Sequence, residues 1–109
     1  MAYDEGLAHR IREVLADQPG LTEKKMFGGI AFMVQGNMAC GVSGEEIMVR
    51  VGPDEMDSAA AQAHVRPADM AGRPMKGWVL VAPGGYEADE DLEGWVRRGV
   101  DFALSLPPK

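Results

Sequence analysis

The stretch TEKKMFGGIAFMVQGNMACGVSGEEIMVRV, residues 22–51, decides the fold. Its apolar residues come in short runs, Lys25-Met26-Phe27, Ile30 to Val34, Met38 to Val42 and Ile47 to Val51, separated by glycine-rich breaks. Runs of this length bounded by Gly, Asn and Ser read as strands. The connections Gln35-Gly36-Asn37 and Ser43-Gly44-Glu45 put glycine where tight hairpins need positive φ, so successive strands are expected to pair antiparallel. Gly28-Gly29 interrupts what otherwise reads as one strand, which predicts a bulge or a close backbone approach that re-aims Phe27. Alternation places Ile47, Val49 and Val51 on one face and Met48 and Arg50 on the other, while Met33 opposes Ile30, Phe32 and Val34. The second face is mixed rather than plainly solvated. Methionines exposed there invite another molecule to cover them, because extended apolar patches seldom stay bare on monomers. A symmetric dimer is one expected result.

Helical spacing frames this region on both sides. Leu7, Ile11, Val14 and Leu15 recur at i, i+4, i+7, i+8 and predict a helix from Asp4 to Gln18, capped by Asp4 and stopped by Pro19-Gly20. Gly52-Pro53-Asp54-Glu55 reads as the start of a second helix running to about His64, with Met56, Ala59, Ala60 and Ala63 inward and Arg66-Pro67 as its stop. A loop follows, then a strand from Gly77 to Val81 closed by Pro83-Gly84-Gly85. Leu92, Trp95, Val96, Gly99, Phe102, Ala103 and Leu106 share one face of a last helix, from about Asp89 to Leu106. The expected fold is a two-layer α+β domain: an antiparallel sheet of 4–5 strands, helices packed on one face, in the order α-β-β-β-(β)-α-β-α.

The 109 residues, 46% hydrophobic and 26% charged, suit a single globular domain, residues 1–109, and exclude disorder as the whole answer. Seventeen acids against eleven bases give a formal charge of -6, which repels phosphate backbones at long range and argues against direct nucleic-acid binding. The single Cys40 forms no internal disulfide, and one thiol with His9 and His64 builds no structural zinc site. No stretch approaches the roughly 18 apolar residues of a membrane span, and no secretory leader is legible. The chain is expected to be cytoplasmic, without metal or cofactor.

Two clusters are candidates for binding. In Lys24-Lys25-Met26-Phe27-Gly28-Gly29-Ile30, paired glycines after two bases suggest backbone N–H groups offered to an anion, but a phosphate loop needs its glycines to open a helix and here a strand follows. In Arg66-Pro67 and Arg73-Pro74-Met75-Lys76-Gly77-Trp78, bases and an aromatic gather in a loop. Lys24, Lys25, Arg50, Arg73 and Lys76 are candidates for a local basic patch, with Trp78 to stack a base. The alternative reading of Trp78 is a core residue alternating with Leu80. No catalytic constellation is expected: His9 and His64 lie in no metal-binding or hydrolase frame, and a thiol enzyme would need one of them beside Cys40.

The runs Lys25-Met26-Phe27-Gly28-Gly29-Ile30, Gly36-Asn37-Met38, Met48-Val49-Arg50-Val51-Gly52 and Gly72-Arg73-Pro74-Met75-Lys76-Gly77-Trp78-Val79, in this order, resemble the N-terminal domain of the TfoX/Sxy family as a stand-alone short member. The resemblance covers nearly all of the chain. It implies an α+β fold similar to type III secretion chaperones. It also implies a regulatory role: long family members regulate natural competence together with a cyclic-AMP receptor protein at promoters. No catalytic residues carry over. What the resemblance brings is an expectation of a protein partner, a transcription regulator among the candidates.

Overall fold

The computed structural model describes residues 3–26, 28–70 and 72–108. Their order is α1 (Glu5–Val14), β1 (Leu21–Met26), β2 (Gly29–Val34), β3 (Asn37–Ser43), β4 (Glu46–Arg50), α2 (Met56–Ala60), β5 (Val65–Met70), β6 (Arg73–Val81) and α3 (Asp89–Leu104). The strands form one antiparallel sheet in the order β1-β2-β3-β4-β6-β5. The architecture is the expected α+β arrangement with six strands rather than four or five. Its accessible surface is 6112 Å², against about 6,000 Å² from the mass scaling of folded monomers.

The hairpins follow their glycines. Gln35 and Gly36 sit at φ 53° and 84°, the two left-handed positions of a type I′ turn, and Gly44 opens the next connection at φ 60°. Gly28, at φ 76°, belongs to the turn joining β1 to β2, with Met26 opposite Gly29. The expected bulge at Gly28-Gly29 is therefore a hairpin corner, and Phe27 lies outside the described residues. The bulge sits deeper: Phe32 faces Cys40 but Met33 faces Met38, leaving Ala39 as the extra residue of β3.

The loop expected over residues 66–76 is a second correction. It is β5, a turn, and the first half of β6. Pro67 is tolerated there because β5 is the sheet's edge, where a missing N–H costs no interior ladder bond. Helix α2 is correspondingly shorter than expected. It ends at Ala60, and His64, at φ 67°, turns the chain into β5. Helices α1 and α3 likewise stop at Val14 and Leu104, short of Gln18 and Leu106, with a turn continuing each.

One core lies between sheet and helices. Ile30, Phe32 and Val34 of β2, Ile47 and Val49 of β4, and Val79 and Val81 of β6 face Leu7, Ile11 and Leu15 from α1 and its exit. Leu92, Trp95, Val96 and Val100 of α3 complete it, and α2 adds Ala59. Asp4 caps α1, its Oδ1 accepting from the Leu7 N–H at 3.1 Å. Tyr86 ties the approach to α3 to the β3–β4 hairpin: its ring is buried and its hydroxyl donates to the Glu45 carbonyl at 2.6 Å. Tyr86→Phe should cost about 1 kcal/mol, since one neutral hydrogen bond is lost and the packing is kept. A lower urea midpoint at unchanged m-value is the expected reading.

Candidate functional site: the open face of the sheet

Strand alternation sends every second side chain away from the helices. Ala31 and Met33 of β2, Met38 and Gly41 of β3, Met48 and Arg50 of β4, and Trp78 and Leu80 of β6 form that second face by register. The three methionines and Trp78 are half-buried, whereas Ala31 and Leu80 are buried beneath their neighbours. Gly41 makes room for this packing: a Cβ there would meet the Met38 Cε at 2.9 Å and the Ile30 carbonyl oxygen at 2.7 Å. The face is thus apolar at its centre, and α1, α2 and α3 all pack into the core on the other side.

Charge occupies the margin. Arg66 of β5 reaches across to the Glu46 Oε1 at 2.6 Å and lies 3.8 Å from Asp69. Lys24 projects from β1 on this face and is exposed, while Lys25, one residue on, points to the helix side. Arg50 is half-buried, with its guanidinium carbon 5.4 Å from the centre of the Trp78 ring and 5.3 Å from that of Phe102. Such cation–π contacts contribute about 0.5–2 kcal/mol, more as water is excluded.

Two glycines bring these three side chains together. Gly52 and Gly77 both have φ 91°. The Val51 and Gly52 N–H groups both donate to the Gly77 carbonyl, at 2.9 and 3.0 Å. A Cβ on Gly52 would lie 2.5 Å from the Phe102 ring, so the end of β4 fits under α3 only without a side chain there.

Of the sequence candidates, the structure therefore joins Arg50 to Trp78 and disperses the others. Lys24 and Lys25 occupy opposite faces of an edge strand; Gly28 and Gly29 shape a hairpin; Arg73 and Lys76 are exposed near the β5–β6 turn; Arg66 is engaged by carboxylates. Phe102, read from the sequence as core, is the third member of the Arg50 cluster. Leu80 and Met38 also belong to the open face, a placement that only strand register reveals.

Elsewhere the groups are committed. Cys40 is fully buried, and burial pushes its thiol up to about 12, away from the thiolate that nucleophilic chemistry requires. His9 pairs with Glu13 at 3.2 Å on the outside of α1, and the ring of His64 rests against Gly84. Among the described residues no group of three or more His, Cys, Asp or Glu is placed to hold a metal, and no helix is long and apolar enough to cross a membrane. A groove of about 320 Å³ runs between α1 and α3, lined by Arg10, Glu13, Asp89 and Glu93 among others. Arg10 donates there through its Nη2 to the carbonyls of Tyr86 and Glu87 and to Asp89.

A search of curated proteins found no match to the chain. The model of the TfoX N-terminal domain matches residues 13–103, from the last turn of α1 to the end of α3. With the whole sheet, its open face and the Arg50, Trp78 and Phe102 cluster inside that span, the chain belongs to the TfoX N-terminal domain family.

Proposed function

We propose that this chain is a small, non-enzymatic regulatory module of the cytoplasm that works by binding a protein partner, of the class of transcription regulators, across the open face of its sheet. Family membership supports a regulatory or competence-related role. The observation that carries the reading is the face itself: Met33, Met38, Met48 and Trp78 stand half-buried with no helix over them. Methionine is unbranched and polarizable, so such a surface adapts to an apolar partner and gains from being covered. Cys40 supports the non-enzymatic part, because its burial disfavours the thiolate.

Binding of nucleic acid or a small anion by a broad basic patch has less support. Lys24, Lys25, Arg50, Arg73 and Lys76 lie on different faces and strands, and the charge of -6 opposes a polyanion.

The test compares three baits in native extract: the unaltered chain, Met48→Lys, and Glu90→Lys on the exposed start of α3. The expected result is a stoichiometric partner held by the first and third and lost by the second, with all three baits folded by circular dichroism. Equal recovery with Met48→Lys would place binding elsewhere. Self-association over the same face would appear instead as a dimer in sedimentation equilibrium that Met48→Lys dissolves.

A further inference from the structure

Resting on the open-face reading, we infer that Arg50 is a receptor for a carboxylate, and that the segment which covers the face is an acidic one, presenting an Asp or Glu side chain beside its apolar residues. Arg10, Arg12, Arg66 and Arg97 each meet a carboxylate within 4.0 Å. Arg50, although half-buried, makes no ion pair or side-chain hydrogen bond among the described residues; its guanidinium lies near the rings of Trp78 on the paired strand and Phe102 on α3. Ring contacts engage the π face of a guanidinium and leave its five N–H donors without acceptors. No buried side-chain nitrogen lacks a partner among the described residues, so those donors reach the surface. A weakly hydrated, planar fork placed beside two rings is partly ordered before any partner arrives, which favours bidentate contact with a carboxylate.

Charge on the same face selects the occupant. The chain carries -6, yet Lys24 and Arg50 make no ion pair on this face among the described residues, whereas the carboxylates at its margin, Glu46 and Asp69, both lie against Arg66. Two copies placed face to face would set these cations against one another, and the carboxylates at that margin, Glu46 and Asp69, already lie against Arg66. An acidic segment from another protein supplies both the apolar cover and the missing acceptors. At physiological salt, charges beyond about 8 Å are largely screened, so these local cations outweigh the distant acids of α3.

The experiment pans a phage-displayed random peptide library against the full chain and titrates the enriched peptide, made synthetically, against variants. The expected peptides carry Asp or Glu next to apolar residues. Arg50→Gln should weaken binding about tenfold or more, as loss of a charge-assisted pair does. Arg98→Gln, which removes from α3 a guanidinium that lies 5.0 Å from the centre of the Trp95 ring rather than beside Trp78 or Phe102, should change it less than about twofold. Because Arg50→Gln also loses ring contacts, a charge reversal completes the set: Arg50→Glu with Lys in place of the peptide's acid should restore binding that either change alone destroys. Peptides without acidic residues, affinity indifferent to Arg50→Gln, no enriched peptide, or a short duplex DNA that binds through Arg50 in their place would each overturn the inference. Affinity abolished by Met48→Lys but untouched by Arg50→Gln would sink it alone; indifference to both would sink the open-face reading as well.

Discussion

Gly99→Ala is expected to destabilise the protein by about 1–3 kcal/mol, the range of an overpacked core, although alanine is the better helix former by about 1 kcal/mol. The Cβ added to α3 would stand 2.3 Å from the carbonyl oxygen of Ala39 and 3.0 Å from its carbon. These are backbone atoms, so no rotamer change relieves the contact; helix and sheet must part. Parting them opens a buried contact of the core, because Val96, Val100 and Ala103 flank Gly99 and all are buried. Gly94→Ala supplies the control on the same helix, since a Cβ there meets nothing within 4 Å and only the propensity gain remains. Chemical denaturation of the two variants should therefore move the midpoint in opposite directions. A stabilised Gly99→Ala would mean that α3 does not sit on the β3 bulge as described.

That contact also shows where sequence reasoning stops. The apolar face of α3 is legible from spacing, and Gly99 falls on it, but nothing local says why the residue there has no side chain. The reason is the extra residue Ala39, and the bulge that exposes its carbonyl is fixed by pairing Phe32 with Cys40 and Met33 with Met38. Hairpins are easier: Gln35-Gly36 and Gly44 announce their turns because positive φ is a local demand. The strand β5 fails for the opposite reason. Arg66-Pro67 is a sound local signal for a helix stop, and the edge position that accommodates the proline is set by sheet order, a tertiary property. In the functional face, alternation alone separates Met33, Met48 and Arg50 from the core. It cannot bring Phe102, fifty-two positions away, to the guanidinium of Arg50. Aromatic residues on a helix stripe read as core whether they meet aliphatic side chains or a cation.

The second large effect is a loss of stability in alkali, carried by Cys40. In the unfolded chain this thiol ionises near its ordinary 9.0, whereas in the folded chain burial holds it protonated to about 12. Below pH 9 both states keep the proton and the group contributes nothing to the pH dependence. Above it the unfolded state releases a proton that the folded state retains, so stability falls with rising pH, by about 1.4 kcal/mol per unit between 9 and 12. Over that window the loss approaches about 4 kcal/mol, a large share of the 5–15 kcal/mol available to a domain. Tyr86 acts in the same direction above pH 10, because burial, with Asp4 and Glu45 nearby, raises its phenol as well. Cys40→Ala separates the two: it lowers stability at neutral pH by a small cavity, and it should remove the thiol's share of the alkaline slope while leaving the tyrosine's. Labelling gives the independent reading. Since the thiolate forms only when the core opens, alkylation of the native protein should follow the small population of the opened state and speed up sharply in urea. Rapid labelling of the folded chain at neutral pH would contradict the burial of Cys40 and remove the support it lends to the non-enzymatic part of the proposal.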